Sequence, residues 1–192
     1  MWSEFFTNAL SRPGYDLLTR PFSDLATRGT PNASEFAFGF FMVPGVLTAV
    51  VGLALLIAPH HGRTWKVGSL AIVAAGLFLF ATGVFQQDPG SVVEGLLHGT
   101  MAQTTFALAS VAPLVLFLGS RQRTVSTSPR RLWLAAGVSA IAIEGAGVAV
   151  RPLLHYPDGF FQRPFTLALT VWFLATGLWL IGLRPKGLSL AD

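Results

Sequence analysis

Glu144 is a single carboxylate inside an apolar stretch, AGVSAIAIEGAGVAVR, that runs from Ala136 to Arg151. The apolar run around it is long enough to cross a bilayer, where an isolated charge near the centre costs about 2.5 kcal/mol or more. An ionisable residue in such a span is a candidate functional residue by default. The helical period predicts that one face turns toward the other helices. That face consists of Gly137, Ala140, Ile141, Glu144, Gly147, Val148 and Arg151.

Other residues that could do chemistry flank the apolar runs at the same predicted end. Asp88 follows the second run, His98 opens the third, and Gln103 lies deeper in the third. A buried Glu144, together with His98 or Asp88, could act as acid and base on a lipid or isoprenoid-like substrate. The candidate ligand-binding residues are Asp16, Arg20, Asp24, Arg28, Gln103, Arg151, His155, Gln162 and Arg163.

Each of these residues also has a purely structural interpretation. Glu144 could pair with an arginine or lock two helices, because buried polar groups are normally paired. The small residues beside it are typical of close helix packing, and His98 could cap a helix end. A metal site built from His98, Asp88, Glu144 and His155 would have suitable ligand types but no diagnostic spacing. We therefore predict no metal site, and the sequence names no cofactor.

The composition indicates a membrane protein. Only 11% of the 192 residues are charged and 52% are hydrophobic, whereas about a quarter of a soluble domain is charged. The chain has no cysteine, which excludes disulfides and thiol catalysis. Its net charge of +4 comes from basic residues in short loops, so it does not indicate nucleic-acid binding. The predicted partners are membrane lipids and an amphipathic small molecule, and the oligomeric state stays open.

Five apolar runs have the length of a membrane helix, which is roughly 17–25 residues. Barrel strands are excluded because barrel strands alternate polar and apolar residues and these runs do not. We predict an all-α integral membrane protein, a single domain with a bundle of five transmembrane helices. Thr30 and Pro31 have the types of a helix N-cap and first helical residue. The predicted spans are about 36–58, 67–85, 96–118, 132–150 and 165–183.

Basic residues predict the orientation. The loops after the first and third spans and the C-terminal tail carry eight of the 13 basic residues and one acidic residue. The positive-inside rule places that side in the cytoplasm. We therefore expect a plasma-membrane protein in which a reporter fused after Asp192 is cytoplasmic and one at Gly90 is outside. Cysteine labelling of the 121–131 loop from outside would contradict this topology.

Residues 1–35 are predicted to lie on the outer side, as an interfacial helix followed by a lid. The stretch after the first helix mixes charged residues with Leu and Phe, so we expect it to fold back over the bundle. The polar residues above would then line an outer-leaflet-facing vestibule. We predict that the vestibule binds a lipid or other amphipathic molecule, with the membrane-embedded enzyme as the alternative.

Four segments resemble a known family in their order along the chain. They are GYDLLTRPFSDLATRGTPNA from Gly14, GVFQQDPG at 83–90, His98 at a span start, and FFQRPFTLALTVWFL at 160–174. Together they resemble the bacterial membrane family catalogued as domain of unknown function 998. The resemblance implies a multi-span helical fold and no particular activity.

The sequence departs from that family's pattern in two ways. The family typically has six spans, one of them before the GYD motif, whereas only fourteen residues precede Tyr15 here. Either the start site is internal or MWSEFFTNAL replaces that span at the membrane interface. The family's Phe-Pro-x-Asp turn is Phe85-Gln86-Gln87-Asp88 here, without the proline.

Overall fold

The computed structural model describes residues 2–16, 19–58, 62–120, 127–154 and 158–182. Within these ranges the regular elements are helices and none is a strand, which confirms the predicted all-α membrane fold. The α-helices are α1 (Trp2–Ser11), α2 (Ala33–Ile57), α3 (Arg63–Val84), α4 (Val92–Ser120), α5 (Thr127–Leu154) and α6 (Asp158–Gly182), and a short 3₁₀ helix occupies Phe22–Ala26.

Helices α2, α3, α4 and α6 are long and apolar enough to cross a membrane, judged by length and composition within the described part of the chain. Helix α5 has 28 residues and contains the predicted span 132–150. The chain is thus a multi-pass membrane protein, and a count of five spans stays a prediction.

Helix α2 contains a turn of π-helix at Ala37–Met42. Pro44 comes two residues after this turn, and a proline inside a helix has no N–H to offer the carbonyl four residues earlier, which is that of Phe40. The wider π turn accommodates this missing bond. It also leaves two adjacent aromatic side chains, Phe40 and Phe41, buried on the inner side of the helix.

The helices α2 to α6 form a ring in chain order, and α6 returns to contact α2. One end of this ring is packed with tryptophan. The Trp133 ring lies 5.2 Å from Trp65 and 5.3 Å from Trp179, between centroids. The Trp65 indole N–H donates to the Leu55 carbonyl at 2.7 Å, and that of Trp133 donates to the Thr176 hydroxyl at 3.2 Å. We call this the far end.

The opposite end, the lid end, carries the residues before α2. Phe5 and Ala9 of α1 are buried against the bundle, together with Phe22 of the 3₁₀ helix. The Phe5 ring meets the Phe22 ring edge-on at 4.7 Å. Phe6 and Leu10 are 48% and 73% exposed on the other side of α1, an arrangement that suits contact with a membrane interface. Residues 12–16 and 19–32 are called the lid segment below.

Candidate functional site

A cavity of about 250 Å³ lies beneath the lid segment, enclosed by α2, α3, α4 and α6. We call it the main cavity. Along α4 it extends from His98 to Ala109, which corresponds to a depth of about 16 Å at 1.5 Å per residue. Its apolar lining includes Phe40, Phe41, Leu79, Phe106, Leu169 and Phe173.

The polar groups of the main cavity concentrate toward the lid end. They include Ser23, Thr82, Gln87, His98 and Gln162. Deeper threonines line the cavity as well, and two of them, like Thr82, donate their hydroxyls back into their own helices. Thr105 bonds the Met101 carbonyl at 2.9 Å and Thr170 bonds the Thr166 carbonyl at 2.8 Å. The cavity is therefore polar near the lid segment and largely apolar at depth.

His98 joins two helices at this polar end. Its Nδ1 lies 3.1 Å from the Thr82 carbonyl oxygen and 2.8 Å from that of Phe85. Carbonyl oxygens only accept, so Nδ1 carries the hydrogen, and Nε2 of a neutral ring carries the lone pair. Because both carbonyls belong to the end of α3, His98 caps that helix end from α4. The side chain is only 2% exposed, so its orientation is fixed.

Glu144 lines a second, smaller cavity of about 80 Å³ between α4, α5 and α6. We call it the side cavity. Gln103, Phe106 and Gln162 line both cavities, so the two are neighbours separated by these side chains. Phe161 also lines the side cavity, close to Gly147 of α5.

The inward face of α5 differs from the predicted one at one residue. Gly137, Ala140 and Gly147 are buried and Glu144 is half-buried, in keeping with the predicted stripe. Ile141, which was assigned to the same face, is 43% exposed. Ile141 lies at the edge of the stripe, where a small rotation of the helix determines whether the side chain is buried or exposed. The side chains of Val148 and Arg151 lie outside what the structure describes.

Two residues at the start of α6 hold the lid segment. The Gln162 side-chain oxygen accepts the Phe22 backbone N–H at 3.1 Å. Arg163 donates from Nη2 to the Arg20 carbonyl at 2.8 Å and to the Tyr15 hydroxyl at 3.4 Å. The Arg163 guanidinium carbon lies 5.6 Å from the Phe5 ring centroid and 5.4 Å from that of Phe22. Such distances are typical of cation–π contacts.

Tyr15 joins these contacts inside the lid segment. Its hydroxyl donates to the carbonyls of Arg20 and Pro21, at 3.2 and 3.1 Å. Burial raises the pKa of Tyr15 to about 12, so the phenol stays protonated and able to donate at physiological pH. Gly14 precedes it with φ 73° and Gly29 has φ 82°, a left-handed conformation that glycine adopts without strain. These glycines let the lid segment turn back on itself.

A second set of contacts ties the lid segment to the loop between α3 and α4. Arg28 Nη1 lies 2.9 Å from a carboxylate oxygen of Glu94 and 3.6 Å from one of Asp88. The Arg28 backbone N–H donates to the Gln87 carbonyl at 2.8 Å. Asp88 also accepts the Gly90 backbone N–H at 2.8 Å. Asp88 therefore organises this loop and anchors the lid segment.

The predicted site residues separate into groups. His98, Gln103 and Gln162 line the main cavity, and Glu144 lines the side cavity with the same two glutamines. The lid contacts include Arg28, Asp88 and Arg163, with an ion pair of 3.7 Å between Arg20 and Asp24. The Asp16 carboxylate accepts the Thr19 hydroxyl at 2.7 Å. The Arg151 side chain and His155 lie outside the described residues.

Sequence reasoning missed several lining residues. Thr166 and Thr170 follow Gln162 at intervals of four on the cavity face of α6, a helical spacing that was visible in the sequence. Phe40 and Phe41 could not be predicted in this way, because in the sequence they do not differ from the other apolar residues of a membrane span. Among the described residues there is no group of three or more side chains that could hold a metal ion.

A comparison with family models gives a match over residues 1–179 to a family described as protein of unknown function, DUF998. No curated protein and no solved structure matches the chain.

Proposed function

The chain belongs to the DUF998 family of proteins of unknown function, and from its geometry we propose that it binds a lipid or other amphipathic small molecule in the main cavity. The observation that carries the proposal is the change in polarity along this cavity, from the polar side chains of His98 and Gln162 beneath the lid segment to the apolar ones of Leu169 and Phe173 at depth. An amphipathic molecule also has one polar and one apolar end, so its polar group would lie near the lid end.

The dimensions favour a single apolar chain as the buried part. The main cavity of about 250 Å³ is slightly smaller than pockets for drug-sized ligands, which hold about 300–1,000 Å³. It is also long, at about 16 Å. Burying an apolar chain there would yield about 25 cal/mol for each Å² removed from water. The polar end places the side chains of His98 and Gln162 beside the expected head group.

The same geometry favours binding over acid–base catalysis. His98 and Glu144 line different cavities, and His98 uses Nδ1 to cap α3. Asp88 holds a turn and faces Arg28. A general acid and base must both reach the reacting group within hydrogen-bond distance. Glu144 shares neither cavity's lining with His98 or Asp88.

Filling the main cavity should remove binding. Gly99 lines it, and a Cβ built at Gly99 meets no atom within 4 Å, so Gly99→Leu adds a large side chain at the cavity wall without a clash at Cβ. We expect the amount of amphiphile that copurifies with the protein to fall about tenfold or more. Solvent extraction and mass spectrometry, normalised to protein, measures this.

Gly95→Leu is the matched control. Gly95 lies one turn earlier on α4, also has no atom within 4 Å of a built Cβ, and is absent from the lining of both cavities. It repeats the change of glycine to leucine without filling the main cavity. If Gly99→Leu retained as much bound amphiphile as Gly95→Leu, the main cavity would not be the binding site.

A further inference from the structure

We propose that the main cavity limits the length of the chain it binds, so that it selects single-chain amphiphiles of medium chain length, an inference that rests on the proposed binding function. The deep end of the cavity is formed by one residue from each of the four helices around it. Each is the lining residue of its helix that lies farthest from the lid segment. These residues, called the floor below, are Thr48, Ala75, Ala109 and Phe173.

The bundle is filled directly below the floor. About one turn farther from the lid segment, Ile72 of α3, Ala112 of α4 and Thr176 of α6 are at most 1% exposed and line neither cavity. The Thr176 hydroxyl also accepts the indole N–H of Trp133 at 3.2 Å, which ties this layer to the tryptophans of the far end. Buried side chains pack with few voids, so a chain that reaches the floor meets packed side chains.

The depth and the volume of the main cavity set the length of the bound chain. The depth is about 16 Å, and an extended carbon chain advances about 1.2 Å per bond, as an extended backbone does. The depth therefore admits about 13 carbon atoms. The volume of about 250 Å³ admits about 8 groups of the size of a water molecule, which takes about 30 Å³ of liquid and resembles a methylene group in size. A second chain has no room in this volume.

A chain outside this range should bind more weakly in either direction. A shorter chain leaves the floor side chains without partner atoms, and their dispersion contacts are lost. A longer chain has to displace packed side chains or leave methylene groups outside the cavity. Each methylene group that stays in water lowers the affinity about fourfold. The chains of sixteen or eighteen carbon atoms that are typical of membrane lipids exceed both limits.

The test uses monoacylglycerols, which share one small uncharged head group, with octanoyl, decanoyl, dodecanoyl, hexadecanoyl or octadecanoyl chains. Each is added at the same mole fraction to lipid nanodiscs that contain the full chain, and native mass spectrometry measures the bound fraction. We expect the decanoyl and dodecanoyl compounds to bind best, and the octadecanoyl compound to bind about tenfold or more weakly.

Ala109→Leu should shift this preference toward shorter chains. It adds three carbon atoms to a floor residue that is 3% exposed, and they take the place of the last carbon atoms of the ligand. The octanoyl compound should then bind better than the dodecanoyl compound. Ala107→Leu is the matched control, because Ala107 is exposed on the same helix and lines neither cavity. It should leave the preference unchanged.

Phe173→Ala should shift the preference in the opposite direction. It removes an aromatic ring from the floor, so the hexadecanoyl compound should gain on the dodecanoyl compound. Leu174→Ala is its control, since Leu174 is 63% exposed on α6 and lines neither cavity. This pair of variants decides if Ala109→Leu does not fold.

The failure of this inference differs from the failure of the proposed function. Equal binding of all chain lengths that is lost in Gly99→Leu would overturn the length limit and leave the main cavity as the binding site. A length preference that neither floor variant shifts would also overturn the inference, because the limit would then lie elsewhere. Binding of none of the compounds would overturn the proposed function and this inference together.

Discussion

Gly76→Leu is expected to prevent α2 and α3 from packing and to lower the yield of folded protein severely. A Cβ at Gly76 would lie 2.5 Å from the Ala49 backbone nitrogen and 2.6 Å from the Gly45 carbonyl oxygen. Backbone atoms of a packed helix cannot move aside as a flexible side chain can. Overpacking of a core lowers the free energy of unfolding by about 1–3 kcal/mol. A clash with backbone atoms should lower it by at least the upper value of this range.

The measurement is the fraction of monodisperse protein after size-exclusion chromatography, together with the midpoint of thermal unfolding in the same detergent. Gly177→Leu is the control, because a Cβ at Gly177 of α6 meets no atom within 4 Å. It should leave both quantities near those of the unaltered chain. Equal behaviour of Gly76→Leu and Gly177→Leu would show that close contact between α2 and α3 does not hold the bundle.

The close contact between α2 and α3 could have been predicted from the spacing of their glycines in the sequence. Gly45 and Gly52 are seven residues apart on α2, and Gly76 and Gly83 are seven apart on α3. A seven-residue repeat of small residues is typical of helices that pack at a small crossing angle. Close packing was predicted instead for the small residues of α5. There a Cβ at Gly137 would lie 2.5 Å from Leu114 Cγ, whereas one at Gly145, next to Glu144, would meet no atom within 4 Å.

The helices themselves could be predicted because a membrane span needs a run of apolar residues of fixed length. Their ends were harder to place. The sequence predicts a helix start at Thr30 and Pro31, but α2 begins at Ala33, after Asn32 in the left-handed conformation with φ 56°. Asparagine adopts this conformation more readily than most residues. The turn around it therefore extends past a dipeptide that resembles a helix start.

The division of the site into two cavities could not be predicted. The helical period tells which residues share a face of one helix, but not which neighbouring helix that face meets. Glu144 and His98 were expected in one vestibule because both lie toward the same end of the bundle. In the structure α5 does not line the main cavity. Glu144 therefore lies on the opposite side of Gln103 and Gln162 from that cavity.

Arg163→Ala is expected to release the lid segment from the bundle. The variant removes a charged donor from the Arg20 carbonyl and a cation from the rings of Phe5 and Phe22. A hydrogen bond from a charged group contributes about 1.5–3 kcal/mol, and cation–π contacts add about 0.5 kcal/mol or more. Loss of about 2 kcal/mol would raise the open population roughly thirtyfold.

The chain has no cysteine, so a thiol introduced by Ser23→Cys would be the sole reactive thiol. Ser23 lies on the lid segment and lines the main cavity, so a maleimide reagent should label it faster when the lid segment opens. We expect the labelling rate in Arg163→Ala to rise in proportion to the open population. In Arg163→Lys it should rise less, because a lysine keeps the charge but lacks the planar guanidinium.

Arg20→Ala is the control, because it also removes a positive charge near the lid segment but leaves Arg163 in place. The Arg20 side chain is about half exposed and lies 3.7 Å from Asp24, and exposed ion pairs contribute about 0–1 kcal/mol. Its backbone carbonyl, which accepts from Arg163, is unchanged by the substitution. Labelling in Arg20→Ala should therefore rise only a few-fold. Equal rates in Arg163→Ala and Arg20→Ala would mean that the lid segment is held by its aromatic packing and not by the arginine of α6.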